Sequence, residues 1–269
     1  MKQEETNKKL LSVIVPAFKK EKTIKQDLER IDGVLSQIRY DYEIICVIDG
    51  KVDKTFQNAE KAKSSKIKII GYENNKGKGY AVRYGMARSN GDLIAFIDSG
   101  MDLNPNGLSM LLEHFEWYNA DIIVGSKRHP VSKTNYPLER LILSVGYQWL
   151  VRILFGLNLR DTQTGMKFFR RKVLEDVLPR LLVKEFAFDI EMLSVANRLG
   201  YKKIYEAPIE MHWNGLKSVL SKSLRKTLVS MLRDTLAVFY RLRILRYYDG
   251  KNKKNWHYDP ELDFKVKVG

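Results

Sequence analysis

The sequence predicts a three-layer α/β fold, with a mostly parallel sheet covered by helices on both faces. Three observations predict it. Over the first half of the chain, short β-rich runs alternate with segments of helical spacing. Each of those runs ends in a cluster of polar and glycine residues, at the sheet edge where such folds bind ligands. Finally, 269 residues with 44% hydrophobic content can bury one substantial core, and no Pro/Gly/Ser-rich linker splits them into comparable halves.

Strands are expected at residues 11–16, 43–48, 66–72, 92–97 and 121–124. A helix starting near Glu21 carries Ile24, Leu28, Ile31 and Leu35 on one face. After the first four strands come PAFKKE (16–21), DGKVDKT (49–55), ENNKGKG (73–79) and DSGMD (98–102). A turn favours such residues anyway, so any one cluster is a weak signal; their convergence on one rim is the stronger one. The second half begins with a helix at 138–155. RDTQTGMKFFRR (160–171), FAFDIEML (186–193) on a helix and an extended run at 202–213 follow. From 216 to 248 the chain is basic and amphipathic. The expected organisation is a tail at 1–10, a main α/β domain at 11–215, basic amphipathic helices at 216–248 and a tail at 249–269.

Cys46 is the single cysteine and lies in the apolar run EIICVI, which predicts a buried thiol and a reducing compartment. The first residues carry acids and lead straight into a strand, so no signal or transit peptide is expected and the chain should start in the cytosol. The most apolar stretch, 141–159, is interrupted by Gln148 and Arg152, which argues against a spanning helix. A formal net charge of +15 calls for an anionic partner such as a nucleotide, nucleic acid or an anionic lipid surface.

In DSGMD, Asp98 and Asp102 stand at the end of an apolar strand with Gly100 between them. Two such carboxylates can hold a hard divalent cation, Mg2+ or Mn2+, against a bound diphosphate. Alternatively, Asp102 or Asn104 caps the helix beginning near Pro105. NNKGKGYAVRYG places Gly77, Lys78 and Arg83 around a helix start, where backbone N–H groups and the positive helix end favour phosphate. It matches neither GxxxxGK[ST] nor GxGxxG, so a kinase or a dehydrogenase is not indicated.

PAFKKE, VIDGKVDKT, NKGKGYAVRYG, FIDSGMD, VGSKR, RDTQTGMKFFRR and FAFDIEML occur in this order and resemble the family 2 inverting glycosyltransferases of the GT-A fold. The likeness is greatest to the branch of the dolichyl-phosphate glucosyltransferases and dolichyl-phosphate mannose synthases, and it spans roughly residues 11–215. The resemblance implies that Pro16, Ala17, Glu21 and Asp49 line a nucleoside pocket. It further implies that Gly77, Lys78 and Arg83 lie near the diphosphate and that Asp98 leads the metal motif. Lys127 and Arg128 match a GSR-type element near the acceptor phosphate, and residues 161–165 match a loop closing over donor and acceptor. The candidate catalytic residues are Asp98, Asp102, Asp161, Gln163 and Asp189; the candidate acceptor contacts are Lys127, Arg128, Thr164 and Lys167. The chain departs from the family pattern twice. Ile48 precedes Asp49 where the family carries a second acid, and Asp98 and Asp102 are four apart instead of two.

A hydroxyl acceptor needs a general base, whereas a phosphate monoester is largely dianionic at neutral pH and needs cations instead. Lys127, Arg128, Arg160, Lys167 and Arg170 supply cations in the relevant part of the chain, so a polyprenyl or dolichyl phosphate is the expected acceptor. Asp189 or Glu191 would serve as base for a hydroxyl. Leu220, Leu224, Leu228, Met231 and Leu232 recur at helical spacing among arginines and lysines, with tyrosines at 240, 247 and 248. That composition suits a helix lying at the cytoplasmic face of an anionic membrane. The helix at 138–155 either joins it there or packs on the sheet. Three rival readings are a family 2 enzyme acting on a hydroxyl of a cell-surface polysaccharide, a nucleic-acid-binding protein and a sugar-nucleotide pyrophosphorylase. Scattered aromatics and acidic strand ends weigh against nucleic acid, and PAFKKE stands where a pyrophosphorylase needs a glycine-rich loop. The four histidines have no zinc spacing.

Overall fold

The computed structural model describes residues 9–135, 138–185, 187–212, 222–256 and 262. Phe186, Trp213, Leu216, Lys217, Leu220 and His257, which the sequence reading uses, fall outside them. In chain order the elements are β1 (Leu10–Ala17), α1 (Ile24–Leu35), β2 (Asp41–Asp49), α2 (Thr55–Glu60), β3 (Ile67–Tyr72), α3 (Lys78–Ala87), β4 (Leu93–Ile97) and α4 (Gly107–Trp117). They continue with β5 (Ile122–Ser126), β6 (Lys133–Thr134), α5 (Leu138–Phe155), β7 (Met166–Arg170), α6 (Arg171–Val177) and α7 (Phe188–Arg198). β8 (Ile204–Pro208), β9 (Glu210–Met211) and α8 (Lys222–Phe239) follow, and α8 runs into a π-helical turn at Tyr240–Ile244.

The main sheet has the order β3-β2-β1-β4-β7-β5-β8. All neighbours are parallel except β7, which runs antiparallel to both β4 and β5. The five expected strands are present within two residues at each end, and the helix expected at 138–155 has those bounds. β7 is additional; its reversal brings its own start, at Gly165 and Met166, to the ends of β4 and β5 where ligands bind.

Alternation along the strands divides the core into two layers. Leu11, Val13 and Val15 of β1 face α1 and α4 through Leu28, Ile31, Leu111 and Phe115. Ile14 faces the other way, with Ala81 of α3, Val151 and Phe155 of α5, and Ile190 and Leu193 of α7. Cys46 is fully buried, and burial pushes its thiol pKa far up, as a structural thiol requires. α5 therefore does pack on the sheet, yet Ile142, Trp149 and Ile153 on its other side are exposed. α8 meets α5 through a hydrogen bond between the Tyr147 and Thr235 hydroxyls (2.6 Å) and an edge-to-face contact of Phe155 with Phe239. No helix among the described residues is long and apolar enough to cross a membrane.

Candidate active site

The ends of β1, β2 and β4 and the loop entering β7 surround a cleft of about 640 Å³. Pro16, Ala17, Asp49, Gly77, Lys78, Asp98, Asp102, Lys127, Gln163 and Thr164 line it, so ten of the expected site residues meet at one rim. Glu21, Arg83, Arg128, Asp161, Lys167 and Asp189 are not in its lining. Asp161, Lys167 and Asp189 lie directly behind it, bonded to residues that are, or to their neighbours.

On one side of the cleft, Asp49 shapes the glycine-rich turn. Its carboxylate accepts from Lys76 N (2.7 Å), Gly77 N (3.1 Å), Asn75 Nδ2 (2.8 Å) and Tyr72 Oη (2.9 Å). Those four bonds use its acceptor capacity, so Asp49 builds the loop around the expected nucleoside pocket. Gly77 has φ +98, a conformation costly for any other residue, and it starts α3 so that Lys78 points into the cleft. Glu21 instead accepts from Lys54 N at the start of α2 (3.3 Å), and Arg83 is buried on α3.

Asp98 sits at the seam. Lys78 Nζ lies 2.8 Å from each of its oxygens, donating to Oδ2. Burial works against the Lys78 ammonium, but Asp98 and Asp189 outweigh it and raise its pKa. Asp98 N donates to Gly165 O (2.9 Å), and a β-carbon at position 165 would stand 1.9 Å from Asp98 Oδ2. Only glycine fits there. Asp98 Oδ1 is buried and meets the Lys78 ammonium (2.8 Å) without a well-directed hydrogen bond among the described residues, so a cation held by this oxygen would share it with Lys78. Asp102 stands beside it with its side chain partly open to solvent; partial desolvation and Asp98 raise its pKa against the pull of Lys20. The helix that follows begins after Asn106, and at that turn Asn104 Oδ1 accepts from Asn106 N (3.1 Å), so Asp102 is not its cap. Ser99 donates to Pro16 O (2.9 Å). No cluster of three or more Asp, Glu, His or Cys exists among the described residues, so a metal at Asp98 would need further oxygens from its ligand.

Opposite, Lys127 Nζ is 2.6 Å from Asp161 Oδ2 and 3.1 Å from Thr164 Oγ1. Thr164 Oγ1 donates to the same carboxylate (2.6 Å), and Gln163 N donates to its other oxygen (3.1 Å). Burial opposes the charged form, yet Lys127 and these bonds hold the Asp161 carboxyl at about 2. Behind it, Lys167 Nζ donates to Asp189 Oδ1 (2.5 Å) and Thr164 O (2.6 Å), with both side chains almost fully buried. Burial pushes Asp189 up and Lys167 down, while their attraction opposes both shifts. Lys167 thus supports Thr164 from behind. Glu191 accepts from Leu182 N, Val183 N and the Tyr248 hydroxyl, which makes it a structural anchor.

Several residues of the site escaped the sequence reading. Asp27 on α1 is buried and accepts from Gly100 N (2.9 Å) and Thr23 Oγ1 (3.1 Å), holding the turn after Asp98. A carboxylate next to the apolar stripe of α1 was its signal. Lys20 lies so close to that turn that a β-carbon on Gly100 would stand 2.4 Å from its Nζ. Gln148 is buried, accepts from Thr162 Oγ1 (3.0 Å) and donates to Leu159 O (2.9 Å), tying the loop at 161–165 to α5. Gln163 Nε2 reaches Met231 Sδ of α8 (3.1 Å).

The sequence profile of Glycosyl transferase family 2 matches residues 12–178. A dolichyl-phosphate beta-glucosyltransferase of Trichomonas vaginalis is 31% identical over 90% of this chain and 77% of its own length. The enzymes of that name from Drosophila melanogaster and Homo sapiens are 32% and 31% identical over 76% and 78% of this chain. This chain spans 66% and 68% of their lengths. Among solved structures, glucosyl-3-phosphoglycerate synthase from Mycobacterium tuberculosis, crystallised with Mn2+, uridine diphosphate and glucosyl-3-phosphoglycerate, aligns over 86% of this chain and 79% of that one, with a TM-score of 0.64 and 21% identity. A second crystal structure of that synthase holds Mg2+ and uridine diphosphate and has a TM-score of 0.64 at 20% identity. The shared fold, the converging rim and the match over most of the chain give one answer: the protein belongs to glycosyl transferase family 2 and is a glycosyltransferase of the GT-A fold.

Proposed function

We propose that this glycosyltransferase moves a hexosyl group from a nucleoside diphosphate sugar to the phosphate of a dolichyl or polyprenyl lipid, with inversion, at an anionic membrane surface. The observation that carries the reading is the Lys127 ammonium across the cleft from Asp98, fixed by Asp161 and Thr164. Asp161 and Asp189, the carboxylates nearest that side, are buried in ion pairs and poorly suited to take a proton from a hydroxyl. A dianionic phosphate needs none taken. Its oxygen bonds to the anomeric carbon as the bond from that carbon to the diphosphate breaks, and the nucleoside diphosphate leaves. Lys78 and the N-terminus of α3 stand where charge builds on the leaving group. Asp98, with Asp102 beside it, would hold a divalent cation, Mg2+ or Mn2+, that offsets the same charge. The names of the relatives favour glucose as the sugar and dolichyl phosphate as the acceptor.

Membrane contact is supported by two apolar stripes. Ile142, Trp149 and Ile153 are exposed on α5; Val229, Leu236, Tyr240 and Ile244 are exposed along α8 and its π-helical turn. Their spacing of four and seven puts each set on one helix face, with Arg152, Arg233 and Arg243 exposed around them.

The test is a panel of nucleotide sugars against short-chain polyprenyl phosphates, with products identified by mass spectrometry. A lipid-linked hexosyl phosphate is expected, with turnover falling at least about 10²-fold in Asp98→Ala. Lys127→Ala is expected chiefly to raise the KM for the lipid phosphate. Sugar found on a glycan hydroxyl, with the polyprenyl phosphate untouched, would overturn the acceptor; full turnover of Asp98→Ala in chelator-treated enzyme would overturn the metal.

A further inference from the structure

A second cavity, of about 470 Å³, opens along the β8 edge of the sheet and shares no residue with the catalytic cleft. Tyr118, His129, Arg152, Arg160, Tyr205 and Glu206 are among the residues that line it. The balance of charge there is cationic. Glu206 is its one carboxylate, and Glu206 Oε1 already accepts from Arg160 N (2.9 Å) and Asp161 N (3.0 Å). Arg128 adjoins the same group: burial lowers its pKa, Arg160 lowers it further, and Asp161 and Glu206 oppose the shift. Arg128 Nε and His129 Nδ1 are buried and have no hydrogen-bond partner among the described residues. The Arg128 Nε–H, a buried donor beside other guanidinium groups, leaves an unmet demand for anionic oxygen.

The cavity also has a defined neighbour. Arg152 lies on α5, its guanidinium carbon 5.8 Å from the Trp149 ring centroid, and Trp149 and Ile153 are exposed beside it. Cationic donors next to an exposed aromatic and aliphatic stripe match a phospholipid, whose phosphate is polar and whose glycerol and acyl chains are not. We infer that this cavity binds the phosphate headgroup of an anionic membrane phospholipid, separate from the acceptor and from the donor. The inference rests on the membrane reading given above and adds to it a specific headgroup site. His129 lines this cavity, and Arg128 beside it adds charge next to Arg160 without lining the cavity itself.

Co-flotation of the full chain with vesicles tests this. Vesicles of phosphatidylcholine alone are compared with vesicles that also contain phosphatidylglycerol. Arg152→Gln with Arg160→Gln is expected to weaken binding to the anionic vesicles by roughly 25-fold, at roughly fivefold per cation. The charge-matched pair Lys61→Gln with Lys63→Gln, exposed near the opposite, β3 edge of the sheet, should weaken it less than about twofold. Circular dichroism and melting temperature report whether each variant is folded, and Arg160→Gln alone provides a milder change. In a second arm, soluble dihexanoyl phosphatidylglycerol should bind the wild type more tightly than inorganic phosphate does, and Arg160→Gln should remove that preference. Equal losses in the two double variants would overturn the headgroup site while leaving membrane binding by bulk charge intact. Wild-type protein that floats with neither vesicle would overturn both. Equal binding of phosphate and the soluble lipid would reduce the cavity to a site for free phosphate and overturn the lipid.

Discussion

The two rims of the cleft hold their charges in different ways. On the donor rim, made by β1 to β4, two carboxylates accept from backbone N–H groups, Asp49 from Lys76 and Gly77 and Asp27 from Gly100, while Asp98 at the seam pairs with the Lys78 ammonium. On the acceptor rim, carboxylates face ammonium groups: Asp161 faces Lys127 and Asp189 faces Lys167. A carboxylate bonded to amides fixes the path of a loop, whereas one bonded to an ammonium fixes a local field and depends on its partner's charge. Away from the Asp98–Lys78 pair, the donor rim is therefore chiefly a matter of backbone shape and the acceptor rim chiefly one of paired side chains.

The sharpest way to break this contrast is to remove one partner on the acceptor rim. Lys167→Met leaves Asp189 buried without its cation and should cost about 3–5 kcal/mol of stability in urea unfolding, whereas adding Asp189→Leu should restore most of it. Equal losses in the single and double variants would show that the pair is not a unit. Acidification makes the next largest effect. The Asp161 carboxyl stands at about 2, below its ordinary 3.8, so its stabilising contribution is full above that ordinary value and is lost as pH falls from there through about 2. The difference amounts to about 2 kcal/mol, and Asp161→Asn should show a flatter stability profile over that window. A wild-type profile as flat as the variant's would remove the assignment. On the donor rim the effect should be smaller and local. Asp27→Ala should cost about 1–2 kcal/mol and speed hydrogen exchange at the Gly100 amide, with little change at Gly165. Faster exchange at both would mean that the two rims are not independent.

The same contrast explains what could be read in advance. The donor rim follows from local pattern, since each strand and its turn are contiguous, and the expected strands agree with the structure within two residues. β7 was not foreseen because Lys167 interrupts its apolar face; the partner that makes a lysine tolerable there, Asp189, is 22 positions away. For the same reason Lys167 and Asp189 read as surface groups able to meet an acceptor, when they form an almost fully buried pair. Glu21 and Arg83 carried the right chemistry in the right motif, but α2 and the interior of α3 claim them. Asp27 was legible in principle as a carboxylate beside an apolar stripe, but its partner Gly100 is 73 positions away.

Gln148 has a consequence for how this protein can change. With Arg152 it interrupts the apolar stretch 141–159, and it is also the post to which Thr162 and Leu159 are tethered. Replacing it with leucine would make α5 a better candidate for insertion into lipid, but it would also cut the loop beside the reacting groups loose from its support. Greasiness and activity are thereby set against each other at one position, so drift toward deeper anchoring has to proceed through other parts of the chain.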